Sequence, residues 1–89
     1  MLEAVKTALC ISSDYYNAEL TTLIAAAIAD LKLAGVSGFT DSDPLIITAV
    51  ACYCQANRGT DGDSRTLFAG LYANQKRNLM LAGEYHDAD

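Results

Sequence analysis

Apolar and polar positions divide this 89-residue chain into four helical stretches, separated by polar breaks that carry Ser, Asp, Gly or Pro. The stretch that organises the rest is DPLIITAVACYCQANRG, from Asp43 to Gly59. Asp43 is placed to cap free N–H groups and Pro44 fits the first helical position. Arg58 puts a cation near the C-terminus and Gly59 supplies a stop. Between Pro44 and Asn57 no residue is charged. Ile46, Ala49, Val50, Tyr53 and Asn57 define one face, while Leu45, Ile47, Ala51, Cys52 and Cys54 spread round the others. A helix apolar on nearly every face requires cover on nearly every face. Ile47 and Cys54 are read as its outer side, the part to be covered from outside the monomer.

Ahead of it, Leu2, Val5, Ala8 and Leu9 form one stripe of a short helix over residues 2–9, with Glu3 and Lys6 placed as the helix dipole prefers. The polar run CISSD ends it and Ser or Asp caps the next helix. That second helix, over 15–34, carries Leu20, Leu23, Ile24, Ala27, Ile28, Leu31 and Ala34 as a continuous stripe. The small residues Thr21, Thr22, Ala25, Ala26 and Ala29 beside it offer a surface for close helix approach. Gly35 ends it, and Phe39 in the following loop is expected to tuck onto the core. The last helix, over 64–82 and capped by Asp63 or Ser64, has Leu67, Phe68, Leu71, Tyr72, Gln75 and Leu79 as its stripe, with Met80 beside it. The segment EYHDAD reads as a frayed acidic tail. The expected fold is all-α, one domain over 1–89, built as a small bundle of about four helices.

Length and charge sharpen this picture. A chain of this size buries roughly 60–65% of its unfolded surface, so its core is thin and oligomerisation is a natural source of further burial. Apolar residues make up 52% of the chain, a surplus for one small core, though much of it is alanine. The net charge is −5, which opposes a nucleic-acid binder because such proteins present a basic face. Residues up to Asp43 hold six acids against Lys6 and Lys32; the remainder holds five acids against Arg58, Arg65, Lys76 and Arg77. The three cysteines, Cys10, Cys52 and Cys54, with no leader-like N-terminus, suit a reduced intracellular setting. The uncharged stretch in the third helix is too short to span a bilayer.

Little in the chain suggests chemistry. Cys52 and Cys54, two apart on a helix, point in nearly opposite directions and do not grip one ion. His86 sits in the polar tail without a nucleophile nearby. DGDSR at Asp61–Arg65 lacks a full cation-loop pattern and reads as a turn and cap. No catalytic residue, cofactor site or metal site is expected. The five tyrosines draw more attention. Tyr53 and Tyr72 fall on apolar helix faces and read first as core, whereas Tyr15, Tyr16 and Tyr85 are expected to be partly exposed. Arg58, Arg65, Lys76 and Arg77 form a candidate basic patch.

The order of these segments resembles the small head–tail connector (head-completion adaptor) family of tailed bacteriophages and prophages. LEAVKTAL running into CISSD is similar to the family's opening helix and acidic-polar cap. AELTTLIAAAIADL is similar to its second helix, DPLIITAVACYCQANRG to its Pro-led apolar helix ending in Asn/Arg, and SRTLFAGLYANQKRNL to its amphipathic last helix. The resemblance implies a structural, non-enzymatic subunit without cofactors. It implies a homo-oligomeric ring, commonly dodecameric, that docks under the portal protein, extends the DNA channel and meets the next tail-proximal connector protein. DNA would pass without sequence-specific binding, and no membrane is involved. The implied location is the virion head–tail junction, reached from the host bacterial cytoplasm during assembly. Tyr53, Arg58, Tyr72, Lys76 and Arg77 are the residues expected near subunit interfaces. The alternative reading is a small helical DNA-binding or regulatory module of phage origin.

Overall fold

The Asp43–Pro44 pair starts the central helix as its chemistry dictates. Asp43 Oδ1 accepts the amide of Leu45 at 2.9 Å, and the helix runs over Pro44–Arg58. In the computed structural model, which describes residues 1–58, 61–82 and 85, the helices are α1 (Leu2–Ala8), α2 (Asn17–Leu33), α3 (Pro44–Arg58) and α4 (Gly62–Leu81). The described residues contain no strand, and the fold is an all-α bundle. The expected stop at Gly59 and the tail residues Gly83, Glu84 and His86–Asp89 lie outside the described residues.

Two helix starts differ from the sequence reading. α2 begins at Asn17, so Tyr15 and Tyr16 precede it in a turn that Asp14 closes, its carbonyl accepting Asn17 N–H at 3.1 Å. α4 begins at Gly62 because Asp61, not Asp63 or Ser64, is its N-cap. Asp61 Oδ1 accepts the Asp63 amide at 3.2 Å and its Oδ2 accepts the Ser64 hydroxyl at 3.0 Å. Capping from Asp61 satisfies the free Asp63 N–H and starts the helix two residues earlier than expected.

α1 and α2 end alike. After α2, Gly35 takes φ +94; its N–H donates to Lys32 O at 3.0 Å and that of Val36 to Leu31 O at 2.9 Å. This is the paired closure of a Schellman end, with Val36 and Leu31 both fully buried beneath it. After α1 the same pair recurs, Cys10 N–H to Thr7 O and Ile11 N–H to Lys6 O. There the left-handed position, φ +60, is held by Cys10 rather than glycine. A side chain in that conformation costs about 1–2 kcal/mol.

α3 packs against each of the other helices, most extensively α4, and α1 also rests on α2. Leu20, Ala27 and Leu31 of α2 meet Ile46, Ala49 and Val50 of α3 in the core, with Val5 of α1. Phe39 is half-buried against this core, as its place in the loop suggested. Cys54 is fully buried, which overturns its place on the outer face of α3, while Ile47 is half-buried. The small-residue positions Thr21, Thr22, Ala25 and Ala29 of α2 are exposed, so the close helix approach expected there does not occur within the described residues. Lys6 is only 4% exposed. Its ammonium reaches out to Asp14 at 2.9 Å, and its stem covers core while its head meets a carboxylate.

Tyr85 departs furthest from expectation. It is 6% exposed rather than part of a frayed tail. Its hydroxyl donates to Asp43 Oδ2 at 2.8 Å and its carbonyl accepts Ser37 N–H at 2.6 Å.

The two helix ends make opposite predictions. Cys10→Gly relieves the left-handed strain and raises stability by about 0.5–1 kcal/mol after the entropy lost by glycine is set against it. Gly35→Ala imposes the strain and lowers stability by about 1 kcal/mol. Urea unfolding of each variant beside the parent chain checks both.

Candidate functional site

The last helix carries the surface that the fold leaves unanswered. Phe68, Tyr72, Gln75 and Leu79 face α3, but Leu67 and Leu71, expected in the same stripe, are 59% and 40% exposed. The reason is geometric. α3 covers one stripe of α4, and among the described residues no second helix lies over its flank. Leu67, Leu71, Asn74, Asn78 and Leu81 fall at i, i+4, i+7, i+11 and i+14, so they share one face. All five are exposed, Leu81 by 78%, and none is charged. Exposed Leu45 of α3 borders the end of this face, where Leu45, Thr48, Gln75, Asn78, Leu79, Ala82 and Tyr85 line an open cavity of about 180 Å3.

Away from this face, α2 and α4 meet through a polar cluster. The Tyr72 hydroxyl donates to Asp30 Oδ2, and Lys76 Nζ reaches the same oxygen at 3.2 Å. Tyr53 packs edge-on against Tyr72, ring centres 5.1 Å apart at 71°, and Lys76 lies 5.5 Å from the Tyr72 ring centre. The hydrogen bond from Tyr72 holds the Asp30 carboxyl below its ordinary value; burial opposes this and Lys76 adds to it. Burial, then the bond to Asp30, pushes the Tyr72 hydroxyl well above its ordinary value.

The five residues expected near interfaces therefore divide. Tyr53, Tyr72 and Lys76 are brought together in this cluster, with Tyr72 buried and Tyr53 half-buried. Arg58 stands apart, its Nε 3.1 Å from Glu19 Oε1 and its guanidinium 4.8 Å from the Tyr16 ring centre. Arg77 is exposed, with Nη2 3.3 Å from Asn74 Oδ1. Arg65, the remaining member of the candidate basic patch, donates to Ala56 O at 3.1 Å. Arg58 and Lys76 each meet a carboxylate, so these cations do not add up to one basic face. Tyr15 and Tyr16, stacked edge-on at 5.0 Å, are exposed as expected.

Burial pushes the Cys54 thiol up to about 11 and raises that of Cys52, so both behave as small core side chains. Among the described residues no group of three or more His, Cys, Asp or Glu is placed to hold a metal ion. No described helix is long and apolar enough to cross a membrane.

Comparison with known families is decisive at one level. A family model described as "Phage connector protein" matches residues 1–86, nearly the whole chain. The chain belongs to the phage connector protein family. Membership gives this connector a structural role among the other head and tail proteins of a phage, at the virion head–tail junction. No curated protein and no solved structure matches it.

Sequence reasoning missed the connector's uncharged α4 face because Leu67 and Leu71 fit a core stripe equally well. The signal available was width: Leu67, Leu71 and Leu81 together with Phe68, Tyr72 and Leu79 span more of the helix than one neighbour covers.

The Tyr72–Asp30 pair sets a pH dependence at both extremes. Asp30 has a lowered folded-state pKa, so its contribution is present above about 3.9 and is lost as pH falls through the folded value. Tyr72 has a raised one, so its contribution is present below about 10 and is lost as pH rises further. Thermal melts across pH will show Asp30→Asn flattening the acid limb and Tyr72→Phe flattening the alkaline limb. Asp14, also held low by Lys6, keeps part of the acid limb in the Asp30 variant.

Proposed function

We propose that the chain is the repeating subunit of a ring-shaped head–tail connector that docks under the portal protein, extends the DNA channel and joins head to tail. The observation that carries this reading, beyond family membership, is the uncharged α4 face of Leu67, Leu71, Asn74, Asn78 and Leu81, whose three leucines are apolar surface that the monomer leaves uncovered. A head-to-tail contact between unlike faces closes into a ring, here of about twelve copies, when the rotation between neighbours divides a full turn. Arg58, Lys76 and Arg77 lie near these contacts as their charged rim, and Tyr53 and Tyr72 set the position of Lys76 from behind. The next tail-proximal connector protein docks on the ring. Assembly takes place in the host bacterial cytoplasm. The net charge of −5 suits a channel wall that DNA passes without sticking. The chain acts without catalysis or cofactor.

The dispersed cations weigh against the alternative of a DNA-binding or regulatory module, since counterion release needs several Lys or Arg on one face.

Light scattering and negative-stain imaging of the purified chain, alone and mixed with portal protein, are expected to show rings. A chain that stays monomeric in both samples, or one retained on duplex DNA at low salt and released as salt rises, overturns the reading. Leu67→Asp and Leu71→Asp are expected to leave circular dichroism and the melting temperature nearly unchanged, because exposed substitutions usually move stability by less than about 0.5 kcal/mol, and to abolish the ring.

A further inference from the structure

We propose that the leucine face of α4 in one copy packs on an exposed face of α2 in the next copy, which makes α2 the acceptor side of each subunit contact. The pairing rests on the ring reading, which leaves the acceptor side unnamed. Ala18, Thr22, Ala25, Ala29 and Leu33 share the side of α2 turned away from its buried stripe of Leu20, Ile24, Ala27 and Leu31. All five are exposed and none is charged. Small side chains here invite a second helix, yet among the described residues no helix of the same chain takes the place. The α4 face is open as well, so the two faces meet only between copies. A contact between unlike faces runs head to tail, each copy giving one face and receiving the other.

Spacing, shape and charge match these two faces. Ala18, Thr22, Ala25 and Ala29 fall at i, i+4, i+7 and i+11, the same steps as Leu67, Leu71, Asn74 and Asn78 on α4. Alternating steps of four and three are the repeat of helices that pack knobs into holes. Each face extends for about 20 Å at 1.5 Å per residue. Leucines opposite alanines interdigitate and let the helix axes come close, whereas leucines opposite leucines hold them apart. The Thr22 hydroxyl already donates to Ala18 O at 3.1 Å, so covering it leaves no unpaired donor. In a chain of net charge −5, α4 is the positive helix, with Arg65, Lys76 and Arg77 against Asp63, net +2. α2 is negative, with Glu19 and Asp30 against Lys32, net −1. Arg77, beside the leucine face, has the amide of Asn74 rather than a carboxylate as its partner. A second α4 laid on this face brings like charge to it, whereas α2 brings the opposite sign. The other helices offer no face of this length: α1 has seven residues, and α3 exposes only Pro44, Leu45, Thr48 and Asn57.

Ala25→Arg tests the pairing, because arginine keeps helix propensity while adding bulk and positive charge to the α2 face. The full-length variant is expected to keep the circular dichroism of the parent and to lose the rings, alone and with portal protein. Ala25→Ser, which stays small, keeps them. NMR reads the direction of the contact. Isotope-labelled Ala25→Arg is titrated with unlabelled Leu71→Asp, each variant lacking only the face that the other keeps. Amide shifts are expected at Leu67, Asn74 and Asn78 of the labelled chain and none at Thr22 or Ala29; with the label on Leu71→Asp the pattern reverses. Rings formed by the parent and by Ala25→Arg alike overturn the pairing and leave the ring reading standing. A titration that moves no α4 amide of labelled Ala25→Arg also overturns the pairing. A parent chain that forms no ring, with or without portal protein, overturns both. Should Ala25→Arg not fold, Ala29→Arg, one turn along the same face, is put through the same measurements and decides by the same outcomes.

Discussion

The need to cover α3 governs this molecule. A helix with no charge between Pro44 and Asn57 is stable only when other apolar groups keep water from it, and each of the other helices serves that end. α1, at two turns, cannot hold its own conformation in water and persists by docking on α3 and α2. α2 contributes Leu20, Ile24, Ala27 and Leu31 on one side, and α4 contributes Tyr72 and Leu79 on the other. Asp43 fixes where the covered helix begins, and the same carboxylate holds Tyr85.

Because the other three helices are arranged around α3, they cover one another only in part, α1 resting on α2. α2 and α4 meet at the Tyr72–Asp30–Lys76 cluster, and beyond it no described helix covers the flank of α4. Leu67, Leu71 and Leu81 are left in solvent there. In an acidic chain whose Lys6, Arg58 and Lys76 are already matched with Asp14, Glu19 and Asp30, an uncharged leucine face is suited to protein contacts more than to a polyanion. That distribution agrees with membership in a phage connector family, whose task is to join proteins.

Several features were legible before folding because they depend on neighbours in sequence. The start of α3 follows from Asp43–Pro44, the end of α2 from Gly35, and the α2 core face from the spacing of Leu20, Ile24, Ala27 and Leu31. The family, too, was readable from the order of segments, since order and spacing are properties of the chain itself.

Other features were decided by which helix lies beside which. Periodicity identifies an apolar stripe but not its cover, so Leu67 and Leu71 looked like core while Cys54, on the supposed outer side of α3, proved fully buried. Composition makes a polar C-terminal segment look frayed, yet Tyr85 finds Asp43 and Ser37, more than forty residues away in sequence. The uncharged nature of α3 was therefore settled by the amino-acid sequence alone. How far that helix is covered, and which leucines are left for other proteins, was settled only by tertiary packing, because burial belongs to pairs of elements rather than to any single one.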